Sequence, residues 1–323
     1  MSERGHKRKH SLQDSPVDLS QMRMTLNGLN ALKAELDGIQ ETEVELDSIS
    51  KHVLALENIL KGAKKQRVTF STVRSEDIKR AGVVRKRLVF EPAKVTELAK
   101  ALPTNVEAEI LDLHCRIKKI YARVNMDYGP ASRMILDAIL LAVTEIASVE
   151  RRSIAILPEM RIPQGDEAQI VHPIPGYELW LGGNFDYAII EYDNVRDYKD
   201  RLLTPGGSRD DAFDISKGLL LLVEAKRQSL EQSLVSYIPE AVSQAIALWK
   251  SANLPEVRFC LSDGQLWVFF ILKLENGTLT YYESATRRLS RDVIESSDMQ
   301  LREIVQLICE WLRPTATGLF ALE

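Results

Sequence analysis

Three residues have the types and the order needed for phosphodiester chemistry: Asp186, Glu224 and Lys226. Glu224 closes an almost wholly apolar run, residues 218–225 (GLLLLVEA), which reads as a strand buried on both faces. Charges at the end of such a strand are costly unless they are paired or bind a metal. Strand alternation puts Glu224 and Lys226 on one face and Ala225 on the other. Asp186 lies upstream in an extended stretch, Gly183-Asn184-Phe185-Asp186-Tyr187. If that stretch is the neighbouring strand, two carboxylates and one ammonium converge. Two carboxylates suit a hard cation such as Mg²⁺ or Mn²⁺. Such a cation polarises a phosphate and acidifies its bound water, while a lysine orients that water or offsets developing charge.

The elements that must position these residues alternate between helix and strand from residue 129 onward. Pro130 fits a helix N-terminus, and residues 132–148 read as a helix with Ile135, Ile139, Ala142, Val143 and Ile146 inward. Residues 153–162 read as a strand and 177–190 as one long extended segment holding Asp186. The polar stretch 191–217, with Thr204-Pro205-Gly206-Gly207-Ser208, reads as a loop or insertion. Residues 239–253 form a helix opened by Pro239. Strands 257–261 and 265–272 are joined through Ser262-Asp263-Gly264, an Asp-Gly turn. A strand at 279–282 and a closing helix at 299–312 complete the pattern.

This order resembles the PD-(D/E)XK nuclease-like superfamily. The resemblance includes Gln244, on the helix after the Glu-x-Lys strand, in Ala241-Val242-Ser243-Gln244-Ala245-Ile246, similar to the helix-borne Gln of restriction-subunit and RecB-like branches. It also includes Leu261-Ser262-Asp263-Gly264-Gln265-Leu266-Trp267-Val268-Phe269, similar to the hairpin of type I restriction-subunit-like domains and of fungal proteins with this fold. It covers residues 130 to 313. The resemblance implies an α/β fold with a restriction endonuclease-like mixed sheet flanked by helices. It implies Asp186 and Glu224 as metal ligands, with the Ala225 backbone oxygen added. Lys226 would serve the attacking water, and Gln244 would position the lysine or a substrate phosphate. For the carboxylate many members add from the first helix, Asp137 fits best and Glu145 is its rival. Phe185 stands where many members have proline. Asp186 and Glu224 are 38 positions apart, longer than the usual hairpin, which again makes 191–217 an insertion or lid.

The rest of the chain carries no catalytic signal. Residues 1–18 read as a disordered basic tail; Lys7-Arg8-Lys9-His10 fits a nuclear localisation signal or simply a solvated tail. Residues 19–60 carry apolar residues at helical spacing, from Leu19, Met22 and Leu26 to Leu56 and Leu60, a coiled-coil helix or helical hairpin suited to homo-oligomerisation or packing. Residues 61–100 hold 12 Lys/Arg against 4 Asp/Glu, with β-like runs at 68–73 and 83–90. That segment is either a phosphate-contacting surface or an edge strand guarded by charge. An amphipathic helix over 106–124 closes this helical region, 19–125, before the nuclease-like domain, 126–323. Arg287-Arg288 and Arg291 follow the last strand as a further phosphate-contact candidate or a solvated loop.

Composition narrows the classes. Apolar residues make up 45% and charged residues 27%, with a net charge of -4, which excludes a uniformly basic coat. Three scattered cysteines make no disulfide framework or zinc set, and the five histidines lack metal spacing. No apolar run reaches the ~18 residues of a membrane span, and the N-terminus is not signal-like. The expectation is an intracellular, soluble, metal-dependent nuclease acting on nucleic acid, DNA foremost. The alternative is a catalytically inactive protein of the same fold, acting as a nucleic-acid-binding or effector-like protein-interaction module.

Overall fold

Strand-forming runs rich in Val, Ile, Leu, Phe and Tyr assemble chiefly into an open mixed sheet. The computed structural model describes residues 25, 27–33, 49, 51–55, 67–126, 129–161, 168–171, 178–205, 212–216, 220–226 and 233–323. The chain divides into two compact units, one of residues 68–169 and 181–323, the other of residues 1–67 and 170–180. In the second unit residues 27–33 and 51–55 are helical. Most of the 19–60 stripe, and all of the basic tail, lie outside the described residues.

The first unit holds the sheet. Its strands are β2 (Val84–Phe90), β3 (Arg152–Arg161), β6 (Asn184–Asp193), β7 (Leu220–Ala225), β8 (Glu256–Ser262), β9 (Leu266–Glu275), β10 (Thr278–Ser284), β11 (Arg287–Arg288) and β12 (Phe320–Leu322). Three short strands, β1 (Arg67–Thr69), β4 (Ala168–Val171) and β5 (Glu178–Gly182), lie outside it. The order is β12-β2-β10-β9-β8-β7-β6-β3, with β11 pairing β9. Strands β3, β6 and β7 are antiparallel neighbours. Strand β8 then runs parallel to β7, which requires the crossover through helix α7 (Ile238–Ser251). The remaining helices are α1 (Ser75–Arg80), α2 (Pro92–Lys100), α3 (Thr104–Arg123), α4 (Gly129–Ala147), α5 (Arg196–Leu203), α6 (Ala212–Ser216), α8 (Arg291–Ser296) and α9 (Met299–Leu312). Among the described residues no helix is long and apolar enough to cross a membrane.

Alternation along β7 divides the core. Leu221, Val223 and Ala225 join one cluster with Tyr187, Ile189 and Cys260. That cluster also takes Ile110, Leu113 and Ile117 of α3, Ile135 and Ile139 of α4, and Leu301, Ile304 and Ile308 of α9. The other sheet face, with Leu222, Leu261 and Ala188, lies on the side of α7, whose Val242, Ala245 and Ile246 are fully buried. Parallel strands covered on both faces read as continuous apolar runs, and β7 does.

Three readings change in detail. The extended run 177–190 is two strands, β5 and β6, broken at Gly183, whose φ is +146° and where a Cβ would stand 2.7 Å from the Phe70 ring. The stretch 191–217 is not coil throughout: it contains α5 and α6, with Leu202 buried and Arg196–Asp200 and Arg201–Asp197 paired one turn apart. The basic run 83–90 is no free edge. Strand β2 pairs parallel with β10 and antiparallel with β12, and Arg85 is neutralised by Glu283 at 2.8 Å.

The Asp-Gly turn ties the sheet to α4. Asp263 Oδ1 accepts from the amides of Gln265 and Leu266, at 2.9 and 2.7 Å. Gly264 has φ +84°, and a Cβ there would sit 2.6 Å from the backbone oxygen of Ser132. Both strain and clash oppose a side chain. Gly264→Ala is therefore expected to lose about 2–4 kcal/mol of stability, read as a lower urea midpoint at unchanged slope. A loss under about 0.5 kcal/mol would show that the turn gives way to α4 freely.

Candidate active site

Strands β6 and β7 meet in a register that sets Tyr187 opposite Val223. One step further, Asp186 lies opposite Glu224, and neighbours across an antiparallel pair have Cβ atoms about 5 Å apart. Asp186 Oδ2 accepts from the Ala225 amide at 2.9 Å, so the strand end itself fixes the aspartate. Its Oδ1 faces Arg133 of α4 at 3.3 Å. Glu224 is 2% exposed. Gln244 of α7 donates to its Oε2 at 2.6 Å, and Lys226 is ion-paired with its Oε1. The Lys226 ammonium also meets Glu240 at 2.8 Å and lies 5.1 Å from the centre of the Tyr237 ring.

Burial, followed by the nearby Asp186 charge, pushes the Glu224 carboxyl up to about 8, against the opposing pull of Lys226. For Lys226 burial works against the ammonium, but Glu224 and Glu240 outweigh it and raise its pKa. The site thus concentrates acidic charge: Asp186, Glu224 and Glu240 around the single ammonium of Lys226, with Arg133 at the outer edge.

Asp186, Glu224, Lys226 and Gln244 are brought together, and Gln244 is bonded to the glutamate rather than to the lysine. Asp137 is placed differently. It accepts the Tyr187 hydroxyl at 2.6 Å, and no hydrogen bond or ion pair joins it to Asp186, Glu224 or Lys226. Glu145 is exposed two turns further along α4. Trp267 is wholly buried, a core residue. Arg133 and Glu240 carry no signal of their own in the sequence. Each lies one helical turn before a residue singled out in the sequence, Arg133 before Asp137 and Glu240 before Gln244, which puts it on the same helix face.

The donor set can be tested against a hard cation. Each of the four oxygens of Asp186 and Glu224 already accepts one bond or faces one cation, and each keeps a second lone pair. Two adjacent carboxylates, one of them held out of water, fit a divalent ion of oxygen preference. Among the described residues no group of three or more His, Cys, Asp or Glu side chains is arranged as a complete metal-binding set. A cation here would draw its remaining ligands from backbone, water or substrate. Neither the family models nor the curated proteins compared with the sequence match it.

Proposed function

We propose that the protein hydrolyses phosphodiester bonds of nucleic acid, DNA foremost, with a divalent cation at Asp186 and Glu224. The observation that carries this reading is the pairing of Asp186 with the buried Glu224 beside Lys226 at one strand end. The order of helix α4, three antiparallel strands, helix α7 and a parallel strand β8 also supports it, because this is the arrangement the PD-(D/E)XK resemblance implies.

Asp186 and Glu224 would hold Mg²⁺ or Mn²⁺, with the Ala225 carbonyl as a backbone donor. When bound, the cation supplies charge to the phosphate and lowers the pKa of a coordinated water. Gln244 holds Glu224 in one rotamer. Glu240 holds the Lys226 ammonium against Glu224, where it can orient the attacking water and stabilise charge on the pentavalent phosphorus. Arg133, nearly half exposed beside Asp186, is placed to meet a phosphate oxygen.

The second reading, a non-catalytic nucleic-acid-binding or interaction module of this fold, is favoured by one observation: every oxygen of the two carboxylates already has a protein partner, Arg133 and Lys226 supplying the neutralising charge. The two readings separate in one experiment. Plasmid, linear and single-stranded DNA are incubated with the intact protein and Mg²⁺ or Mn²⁺, with EDTA and Asp186→Asn as controls. Cutting that needs the cation and Asp186 is the expected result. No cutting of any substrate would assign the site to structure and favour the binding module. A nuclear location remains a separate proposal, resting on Lys7-Arg8-Lys9-His10.

A further inference from the structure

Two basic runs about 200 residues apart in sequence, Arg85-Lys86-Arg87 and Arg287-Arg288, line one groove of about 770 Å³, together with Glu283 and with Gln300 and Glu303 of α9. The groove opens where the chain leaves β10 at Ser284 and rejoins β9 at Arg287, while β2 continues past Leu88 toward β12. Arg85 is taken by Glu283 and Arg287 by Glu303, the latter at 2.6 Å. The Arg287 Nε is buried without a hydrogen-bond partner. Arg87 and Arg288 are exposed, and no side-chain partner engages either among the described residues.

Register places these two on the face of the sheet that carries the candidate site. Glu224 is level with Leu261, and Leu261 with Val268, so Val268 shares its face. Along β9, Phe270 and Leu266 have the same parity as Val268. Phe270 pairs with Glu283, which pairs with Arg87, and Leu266 pairs with Arg288. Arg87 is four strand spacings from β7, about 19 Å, and Arg288 is three, about 14 Å, at ~4.8 Å per spacing. At ~3.4 Å per base pair those distances correspond to about four to six base pairs of duplex.

We propose that this groove holds the phosphodiester backbone of a nucleic acid, four to six pairs from the group at Asp186 and Glu224, with Arg87 and Arg288 making the phosphate contacts. The ligand class rests on the nuclease reading, but the groove itself is tested without catalysis. Binding of a labelled 20-base-pair DNA duplex by the intact protein is followed by anisotropy in EDTA, at several salt concentrations. The comparison is between wild type, Arg87→Ala/Arg288→Ala and a charge-matched control, Lys118→Ala/Lys119→Ala on the exposed side of α3. Two lost phosphate contacts should reduce the slope of log affinity against log salt by about 1.8 and weaken binding ~10- to 60-fold near 0.1 M. An unchanged slope, or one reduced equally by the control, overturns the groove as the backbone site. Wild-type protein that binds no duplex overturns it too, whereas the nuclease reading fails separately, on cutting with Mg²⁺ or Mn²⁺.

Discussion

Lys226→Ala is expected to abolish cutting and to unfold more easily than the parent. The Lys226 side chain is 16% exposed and, among the described residues, is the one cation touching both Glu224 and Glu240. At pH 9, above the value of about 8 to which Glu224 is pushed, its removal leaves a charged carboxylate that is 2% exposed without compensation. Breaking a buried pair from one side typically costs 3–5 kcal/mol, because the surviving charge is stranded. With Lys226 at the mouth of the site rather than deep within it, about 3 kcal/mol is expected, a melting temperature lower by on the order of 6 °C. Loss of a group that stabilises transition-state charge should reduce cutting by 10²-fold or more. The two effects separate in Lys226→Met/Glu224→Gln/Glu240→Gln, where neither the ammonium nor the two carboxylates paired with it remain. Stability should return most of the way to the parent value while cutting stays absent. If this triple variant is as unstable as Lys226→Ala, the ion pairs are not what the lysine stabilises. If it cuts, the site lies elsewhere.

The elements that hold the site were legible because they are buried on both faces. An eight-residue, almost wholly apolar run ending in Glu224-Ala225 and followed by Lys226 has few ways to fold, and β7 with Asp186 beside it follows from alternation and pairing. Helix α9 spans Met299–Leu312, as its apolar spacing predicts. Long-range pairing is where the sequence was silent. Nothing local in Val84–Phe90 says that it runs parallel to β10, because that register depends on residues almost 200 positions away. For the same reason the basic run read as either an edge or a nucleic-acid surface. Its charges are divided between the two: Arg85 is spent on Glu283, and Arg87 remains open. Site residues on helices were half legible. Gln244 stood out by resemblance, whereas Glu240 and Arg133 matter only through which strand end their helices cross. Asp137 shows the converse, a carboxylate in a suitable sequence position that the tertiary structure gives to Tyr187.

Without divalent cation, stability should fall as pH rises from about 4.5 to 8, and Glu224 should be the residue responsible. Its carboxyl is pushed up from 4.5 to about 8 in the folded protein, first by burial and then by Asp186. The folded state therefore binds more protons than the unfolded chain across that interval. The resulting stability is present in full below the unfolded value and is lost as pH climbs through the folded one. Lys226 shifts upward from 10.5, so its own contribution changes only in more alkaline solution. The expected loss between pH 5 and 8 is a few kcal/mol, and Glu224→Gln should flatten it. A cation competing with that proton gives the opposite dependence. For a site of Kd about 1 mM, 10 mM Mg²⁺ adds about 1.4 kcal/mol where Glu224 is ionised, a rise on the order of 3 °C at pH 8. At pH 5.5 the proton holds the carboxyl and the rise should shrink toward zero. Calorimetry of the parent and Glu224→Gln at both pH values, with and without Mg²⁺, measures all of this at once. A pH dependence that survives in Glu224→Gln would move the proton to another group. A Mg²⁺ effect equal at the two pH values, or retained in the variant, would place the ion away from Glu224.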